Sequence, residues 1–312
     1  MPVSDKIAVL VDGRELTLTN LTKVLYPEDG FSKAEVFDYY QRISPLLLPH
    51  IAGRPVTLRR YPHGVADLSF FAKHAPDKRP AWLRTEEVMS QSSRARSPGS
   101  PVRYVVIDSL PALIWAVNLA AIEFHVPMWQ FPAAADRARG AGSEQGSDPD
   151  LLVFDLDPGE PATIVECCRV AEALRPVLSA DGLDALPKTS GGKGLHLYAR
   201  ISGMTADQAT DRAKSYAERL ERELPRLVVS RITKSLRAGK VLVDWSQNNG
   251  SKTTVAPYSL RARERPTVST PVTWNEVAAC REVADLTFTA PEVLDRAVHL
   301  GDLYAPLLGP PY

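Results

Sequence analysis

A chain of 312 residues, 44% apolar and 24% charged, has the make-up of a globular protein, long enough to bury a core in one large or two small domains. Its 37 basic residues balance 37 acidic ones, which excludes an overall basic coat; any anion-binding surface must come from local segregation of charge. The N-terminus has no basic-then-apolar leader and no apolar run reaches membrane-spanning length, so a cytoplasmic protein without membrane contact is expected.

In chain order, Ile7–Leu18 alternates apolar and polar residues around Asp12-Gly13 and predicts a hairpin. Ser32 and Glu35 form a capping box for a helix whose apolar positions are Val36, Tyr39, Tyr40, Ile43 and Leu47, with a kink or an early end at Pro45. Residues 54–60 read as a strand, residues 90–101 as a polar basic segment, and residues 104–107 as a short strand. Residues 110–124 read as an apolar helix ending near His125. Residues 133–150, rich in Ala, Gly and Ser, predict an exposed loop and the one plausible lobe boundary. Beyond it come a strand over 151–157, a helix over 163–178, a strand over 195–201 and an amphipathic helix over 206–224. Further strands are expected at 227–232 and 241–245. Strict βαβ alternation is missing, which favours an α+β fold. Cys167, Cys168 and Cys280 show no C-x-x-C spacing and read as reduced packing residues.

Three segments carry chemistry. In the apolar strand Leu151–Asp157, Asp155 and Asp157 share one face, roughly 6.5–7 Å apart at Cα, where two carboxylates can bridge hard cations. Alone, the pair is more often a solvated strand end. Thr189–Tyr198 packs Ser190, Gly191, Gly192 and Lys193 into one turn followed by His196 on a strand. Its glycines allow backbone N–H groups near a phosphate, yet the spacing fits neither a Walker A loop nor a dinucleotide fingerprint. A plain hairpin turn is the other reading. Asp244 ends a third apolar strand, next to Gln247, and would complete an acid cluster of the kind two-metal nucleotidyl transfer requires. Between Arg226 and Arg263 eight basic residues stand against the one acid Asp244, which suits a triphosphate or nucleic-acid backbone as well as it suits a solvated basic face.

Taken together and in order, FDLDPG (154–159), SGGKGLHLY (190–198), KSLRAGKVLVDWSQN (234–248) and SKTTVAPYSLR (251–261) resemble the archaeo-eukaryotic primase superfamily. They are most similar to the polymerase domain of bacterial ligase D and its stand-alone relatives. LTNLTKVLYP (18–27), SKAEVFDYY (32–40) and AAIEFHVPMW (120–129) fit the same pattern, so the resemblance runs from about Leu16 to about Tyr304. It implies one primase–polymerase catalytic unit over residues 1–312, with mixed and antiparallel sheets around an acidic cleft, and with no ligase or nuclease domain.

The resemblance further implies that Asp155, Asp157 and Asp244 are the catalytic metal ligands, for two Mn2+ ions in preference to Mg2+. Ser190, Gly191, Gly192, Lys193, His196, Arg237 and Arg261 become nucleotide contacts. Phe70 and Phe71 match an aromatic pair that stacks on a base, and Lys23 and Lys33 match a pair that grips a 5′-phosphate. His125 and Gln247 are candidates near the active site. The implied activity is template-dependent filling of short gaps or ends in DNA repair, with NTPs favoured over dNTPs, at the nucleoid. No K-x-D-G motif occurs, so a separate ATP-dependent DNA ligase, and Ku, are the expected partners beside gapped or broken DNA bearing a 5′-phosphate. The alternatives are a primer-independent primase and a non-catalytic DNA-binding repair subunit.

Overall fold

The structure, a computed structural model, describes residues 6–89, 101–132 and 148–309. The segments expected to form the basic loop at 90–100 and most of the Ala/Gly/Ser-rich loop at 133–147 lie outside the described residues. Strands β1 (Lys6–Val11) and β2 (Arg14–Thr19) form the expected hairpin, with Asp12 and Gly13 both at positive φ. A second small ribbon pairs β3 (Val24–Tyr26) with β4 (Phe31–Ser32) and leads into helix α1 (Lys33–Ile51). The capping box is present: Ser32 accepts from the Glu35 N–H while Glu35 Oε2 accepts from the Ser32 N–H at 2.7 Å.

Helix α1 does not end early at Pro45; it runs through Pro45 and Pro49 to Ile51. Proline removes the N–H that would bond the Gln41 carbonyl, but the Ser44 hydroxyl donates to that oxygen instead at 2.8 Å. The apolar stripe of α1 from Val36 to Ile51 is buried, which adds tertiary support to the helix.

Strands β5 (Thr57–Arg60), β6 (Phe70–Ala72), β7 (Thr85–Met89) and β8 (Pro101–Val105) follow, then helix α2 (Leu110–Asn118). The apolar helix expected over 110–124 is therefore half helix. Leu119 and Ala120 turn the chain, Ala120 at φ 59°, and β9 (Ala121–Val126) runs back between β5 and a later strand. A continuous apolar run does not distinguish buried helix from buried strand by period, and here the pairing on both edges decides it.

The second half builds around β10 (Leu151–Pro158), α3 (Ile164–Ala180), β11 (Ala185–Thr189), β12 (Leu195–Arg200), α4 (Ala206–Glu223), β13 (Val228–Val229) and β14 (Val241–Asp244). These strands form a five-stranded sheet in the order β11-β12-β10-β14-β13, antiparallel except for the β13–β14 edge. Strand β15 (Thr254–Val255) joins a four-stranded antiparallel sheet, β15-β9-β5-β6. Short helix α5 (Trp274–Ala279) and α6 (Ala290–Leu300) close the chain. Mixed sheets with flanking helices make this an α+β fold.

Two large cores result. One packs α1 and α2 against β5 and β9; the other packs α3 and α4 against one face of the five-stranded sheet. The chain crosses between them more than once: Ala256–Val268 returns to the first core, Val272–Leu286 to the second, and Ala290–Leu294 to the first again. No helix among the described residues is long and apolar enough to cross a membrane.

Asn248 locks the central strand from the side. Its amide accepts from the Val153 N–H and donates to the Val153 carbonyl, both at 2.8 Å, and also donates to Trp245 O at 2.9 Å. Asn248→Ala should leave both Val153 groups buried without partners and destabilise the protein by about 2–3 kcal/mol. A urea melt with an unshifted midpoint would show that this bracket contributes nothing.

Candidate active site

Strand β10 is the middle strand of its sheet, so its residues have a neighbour on each side. In register, Asp155 faces His196 on β12 and Asp244 on β14, and His196 in turn faces Lys188 on β11. Four polar side chains thus form one row across four strands, with Asp157 one pleat further along. The intervening Phe154 and Leu156 point into the helix-covered core.

His196 Nε2 lies 3.1 Å from Asp155 Oδ1, and Lys188 Nζ lies 3.0 Å from His196 Nδ1. Asp244 is held from its own C-terminal turn: Oδ1 accepts from the Ser246 N–H and hydroxyl, and Oδ2 accepts from Gln247 Nε2 at 3.1 Å. Burial raises the proton affinity of Asp155, but His196, Lys188 and Arg261 outweigh it and hold its pKa below the usual value. Asp157 is pushed up to about 7, first by burial and then by Asp155 and Asp244, against the pull of Arg237 and Arg261. At Asp157, burial and the two neighbouring carboxylates outweigh the arginines.

Asp155 and Asp157 line a cleft of about 340 Å³ together with His125, Ser190, Lys193, His196, Arg237, Gln247, Arg261 and Arg263. Asp244 sits beside Asp155 and is not among the lining residues. Among the described residues no three His, Cys, Asp or Glu side chains already converge as a closed ligand set. The donor chemistry nevertheless fits a hard divalent cation: neighbouring carboxylates, one of them pushed up to about 7 by burial and then by the other two.

The glycine turn is built differently from its sequence reading. The Ser190 hydroxyl oxygen accepts from the Gly192 and Gly194 N–H groups at 3.2 and 3.1 Å, so those donors are used inside the turn. Gly191 has φ 66°, and a Cβ there would meet the Val268 carbonyl at 2.7 Å; at Gly194 it would strike Leu156 O. These glycines let the turn lie against the sheet and the segment carrying Arg261. Arg261 Nη1 donates to the Ser190 carbonyl. Lys193, 71% exposed at its side chain, pairs with Glu160 at 2.6 Å.

Above the carboxylates the cleft is cationic. The Nε atoms of Arg237 and Arg261 are buried without a hydrogen-bond partner, an arrangement suited to an anionic ligand. Glu123 on β9 is buried beneath, 2.8 Å from His125 Nε2 and 3.4 Å from Arg261 Nε. Burial opposes its charge, but His125 and Arg261 keep it ionised far below the usual carboxylate range. Phe70 and Phe71 on β6 are 47% and 57% exposed, with Arg60 and Arg59 over their rings, and Phe71 meets His125 edge-on at 5.6 Å.

Lys23 and Lys33 are adjacent, the Lys33 N–H donating to Lys23 O, and they lie outside the cleft lining. Lys23 Nζ donates to Pro62 O. Lys33 is buried, its ammonium donating to Thr19 O, Asn118 O and Asn118 Oδ1 at 2.7–3.0 Å. Burial, and then Lys23, bring its pKa down to about 8.

The pattern of the LigD primase–polymerase domain matches residues 32–304. The chain belongs to the LigD primase–polymerase family. It is 45% identical over 291 residues to the multifunctional non-homologous end joining protein LigD of Mycolicibacterium smegmatis, covering 93% of this chain and 36% of that protein. The bifunctional end-joining LigD of Bacillus subtilis is 30% identical over 284 residues, covering 90% of this chain and 42% of that protein. The chain therefore spans well under half the length of these curated relatives. Among solved structures, the polymerase domain of Mycobacterium tuberculosis ligase D, in complex with DNA, superposes with a TM-score of 0.85 at 45% identity, covering 94% of this chain and 98% of that one. The LigD primase–polymerase family is one of nucleotidyltransferases, and membership implies use of a divalent metal.

Sequence reasoning missed Lys188, Glu123 and Arg263. Lys188 had a usable signal, a lone basic residue inside an apolar strand, once the β11–β12 register was known. Glu123 had none, because its strand was read as helix.

The raised Asp157 pKa has a stability consequence. A carboxyl whose folded pKa exceeds its unfolded value favours folding below the unfolded pKa, and that contribution is lost as pH rises through about 7. Asp157→Asn should therefore raise the metal-free melting temperature at pH 8 and much less at pH 5. Melts in a chelator at both pH values check this, and equal shifts would contradict the like-charge explanation.

Proposed function

We propose that this chain extends a primer 3′-hydroxyl against a template strand at short gaps or broken ends of DNA, with pyrophosphate as leaving group. The observation that carries this reading is a cleft in which Asp155 and Asp157, with Asp244 beside them, face arginine nitrogens that are buried without a hydrogen-bond partner. Such a site suits a cation and a polyphosphate together, and neither alone.

Asp155, Asp157 and Asp244 would hold the divalent metal, two Mn2+ ions in preference to Mg2+. When bound, the metal supplies positive charge that favours ionisation of the attacking hydroxyl and steadies the leaving phosphates. Asp157, near its protonation point without a cation, is the group that gains most from one. Arg237, Arg261 and Arg263 would bind the triphosphate, joined by Lys193 once it leaves Glu160, by Ser190 and by His196. Gly191 and Gly192 allow the turn to come close. Phe70 and Phe71 offer stacking faces for a base beside this cleft, and His125 orients the Phe71 edge. Gln247 steadies Asp244.

The solved mycobacterial relative is in complex with DNA, and the curated relatives are end-joining proteins; both support gapped or broken DNA as the substrate here. Preference for ribonucleotides over deoxyribonucleotides, an ATP-dependent ligase and Ku as partners, and a nucleoid location belong to the same proposal.

In primer extension on gapped DNA with Mn2+, wild type should add ribonucleotides faster than deoxyribonucleotides. Asp155→Ala should keep less than about a tenth of the activity while still binding the duplex. Equal extension of unprimed DNA would favour the primase alternative, and no extension on any substrate would favour a binding subunit.

Lys23 and Lys33 would read a downstream 5′-phosphate. Lys33 is so enclosed that its removal should harm the fold, so Lys23→Ala is the cleaner probe. It should reduce the binding preference for a phosphorylated over a hydroxyl gap end by roughly tenfold at fixed salt. An unchanged preference would make Lys23 ordinary surface charge.

A further inference from the structure

Lys188 has no part in the reading above, yet it is the most deeply buried charge-bearing side chain beside the acids. It lies within β11 at 0% exposure, opposite His196, with its ammonium 5.4 Å from the centre of the Tyr198 ring. Its Nζ has two partners, Ser269 Oγ at 2.6 Å and His196 Nδ1 at 3.0 Å.

The proton directions follow by elimination. Ser269 Oγ also lies 2.9 Å from Thr189 O, which can only accept, so the hydroxyl proton goes there. Ser269 Oγ must then accept from Lys188. Held as an ammonium, Lys188 has three N–H bonds and no lone pair to accept with, so a second N–H reaches His196 Nδ1. A neutral imidazole whose Nδ1 accepts carries its proton on Nε2. That nitrogen is 3.1 Å from Asp155 Oδ1, so the proton points at the carboxylate. A bare, accepting Nδ1 has no second proton, so the ring is neutral.

We propose that Lys188 is a positioning residue that fixes His196 as the Nε2–H tautomer and thereby orients Asp155. One carboxylate oxygen is tied to the ring, and the other is left for a cation. A hydroxyl or amide at position 188 could accept as well as donate and would leave the tautomer undetermined. A lysine ammonium only donates, and with Ser269 already directed at Thr189 it leaves Nδ1 only the accepting role. The cation half of this inference rests on the assignment of Asp155 as a metal ligand; the tautomer half does not.

The wild-type protein provides the first test. Nitrogen-15 histidine spectra of the metal-free protein at neutral pH, with the signal assigned by its loss in His196→Asn, should show a protonated Nε2 and a bare Nδ1. A protonated Nδ1, or a fast-exchanging mixture, overturns the proposal without any change at Lys188. Lys188→Met should convert that spectrum to a mixture or to the Nδ1–H form, and should weaken Mn2+ binding, read by electron paramagnetic resonance, by about tenfold or more. Ser269→Ala, which frees one N–H of Lys188 but leaves the lysine in place, should move both readouts in the same direction by less, and it serves if Lys188→Met does not fold. Unchanged tautomer and Mn2+ affinity in a folded variant would sink the proposal. If wild type shows the Nε2–H form but no Mn2+ binding that Asp155→Asn removes, the metal assignment fails and the tautomer assignment stands.

Discussion

The constraint on which this structure depends is the placement of three carboxylates on neighbouring positions of two hydrogen-bonded strands. Asp155 and Asp244 are direct cross-strand partners and Asp157 is two residues on. Like charges opposite each other disfavour strand pairing, so the sheet has to supply the opposing terms itself. A central strand is the one location that can do this, because it has a second neighbour. β12 uses that position to put His196 against Asp155, with Lys188 behind it. The opposite face of β10 is apolar and covered by α3 and α4, so burial of Phe154 and Leu156 holds the strand in place while its polar face carries the repulsion.

Compensation from the other side of the cleft depends on the chain crossing back. Residues 256–268 leave the carboxylate sheet and pack into the first core, which brings Arg261 and Arg263 over the acids. Buried tyrosines of that core fix this segment through its backbone. Tyr26 donates to Arg261 O at 3.0 Å, Tyr39 donates to Tyr258 O at 2.7 Å, and the Leu260 N–H donates to the Tyr40 hydroxyl at 3.0 Å. Glu123 adds the counter-charge and takes the Ala262 N–H at 3.0 Å. The position of one guanidinium is thus set by residues more than two hundred positions earlier in the chain, and packing in the first core bears directly on electrostatics in the second.

This division explains which parts of the fold and site were legible in the sequence. Asp155 and Asp157 were readable because strand parity is local: alternate residues of an apolar run share a face in any sheet. The Ser32 capping box and the Asp12-Gly13 hairpin are local in the same sense. The helix expected to continue from Leu110 to Phe124 failed because burial on both faces erases period, and only pairing with β5 and β15 makes Ala121–Val126 a strand. With that strand unread, Glu123 and His125 could not be placed on one face. The glycine turn was legible as a site but not in its internal bonding, since the capture of two N–H groups by Ser190 depends on how the turn folds onto Arg261 and Val268. The enclosure of Lys33 was not legible, because nothing near it in sequence reveals Asn118, whose carbonyl and side chain enclose it.

The two halves of the cleft also differ in the backbone that supports them, and the difference has a physical basis. The acids sit in the middle of a five-stranded sheet, where all three are fixed by cross-strand register and Asp155 and Asp244 also by side-chain neighbours. Two of the cations sit on irregular segments: Arg237 follows a short 3-10 turn and Lys193 projects from the glycine turn. A cluster that opposes its own folding needs the most rigid support available, because any slack would let the carboxylates separate and lose the geometry that a cation requires. Groups that must follow a flexible phosphate chain gain from the reverse arrangement, since loops with few buried contacts reorganise at small free-energy cost. Lys193 illustrates the point: its exposed pair with Glu160 is worth little in water and is readily exchanged for a stronger anion.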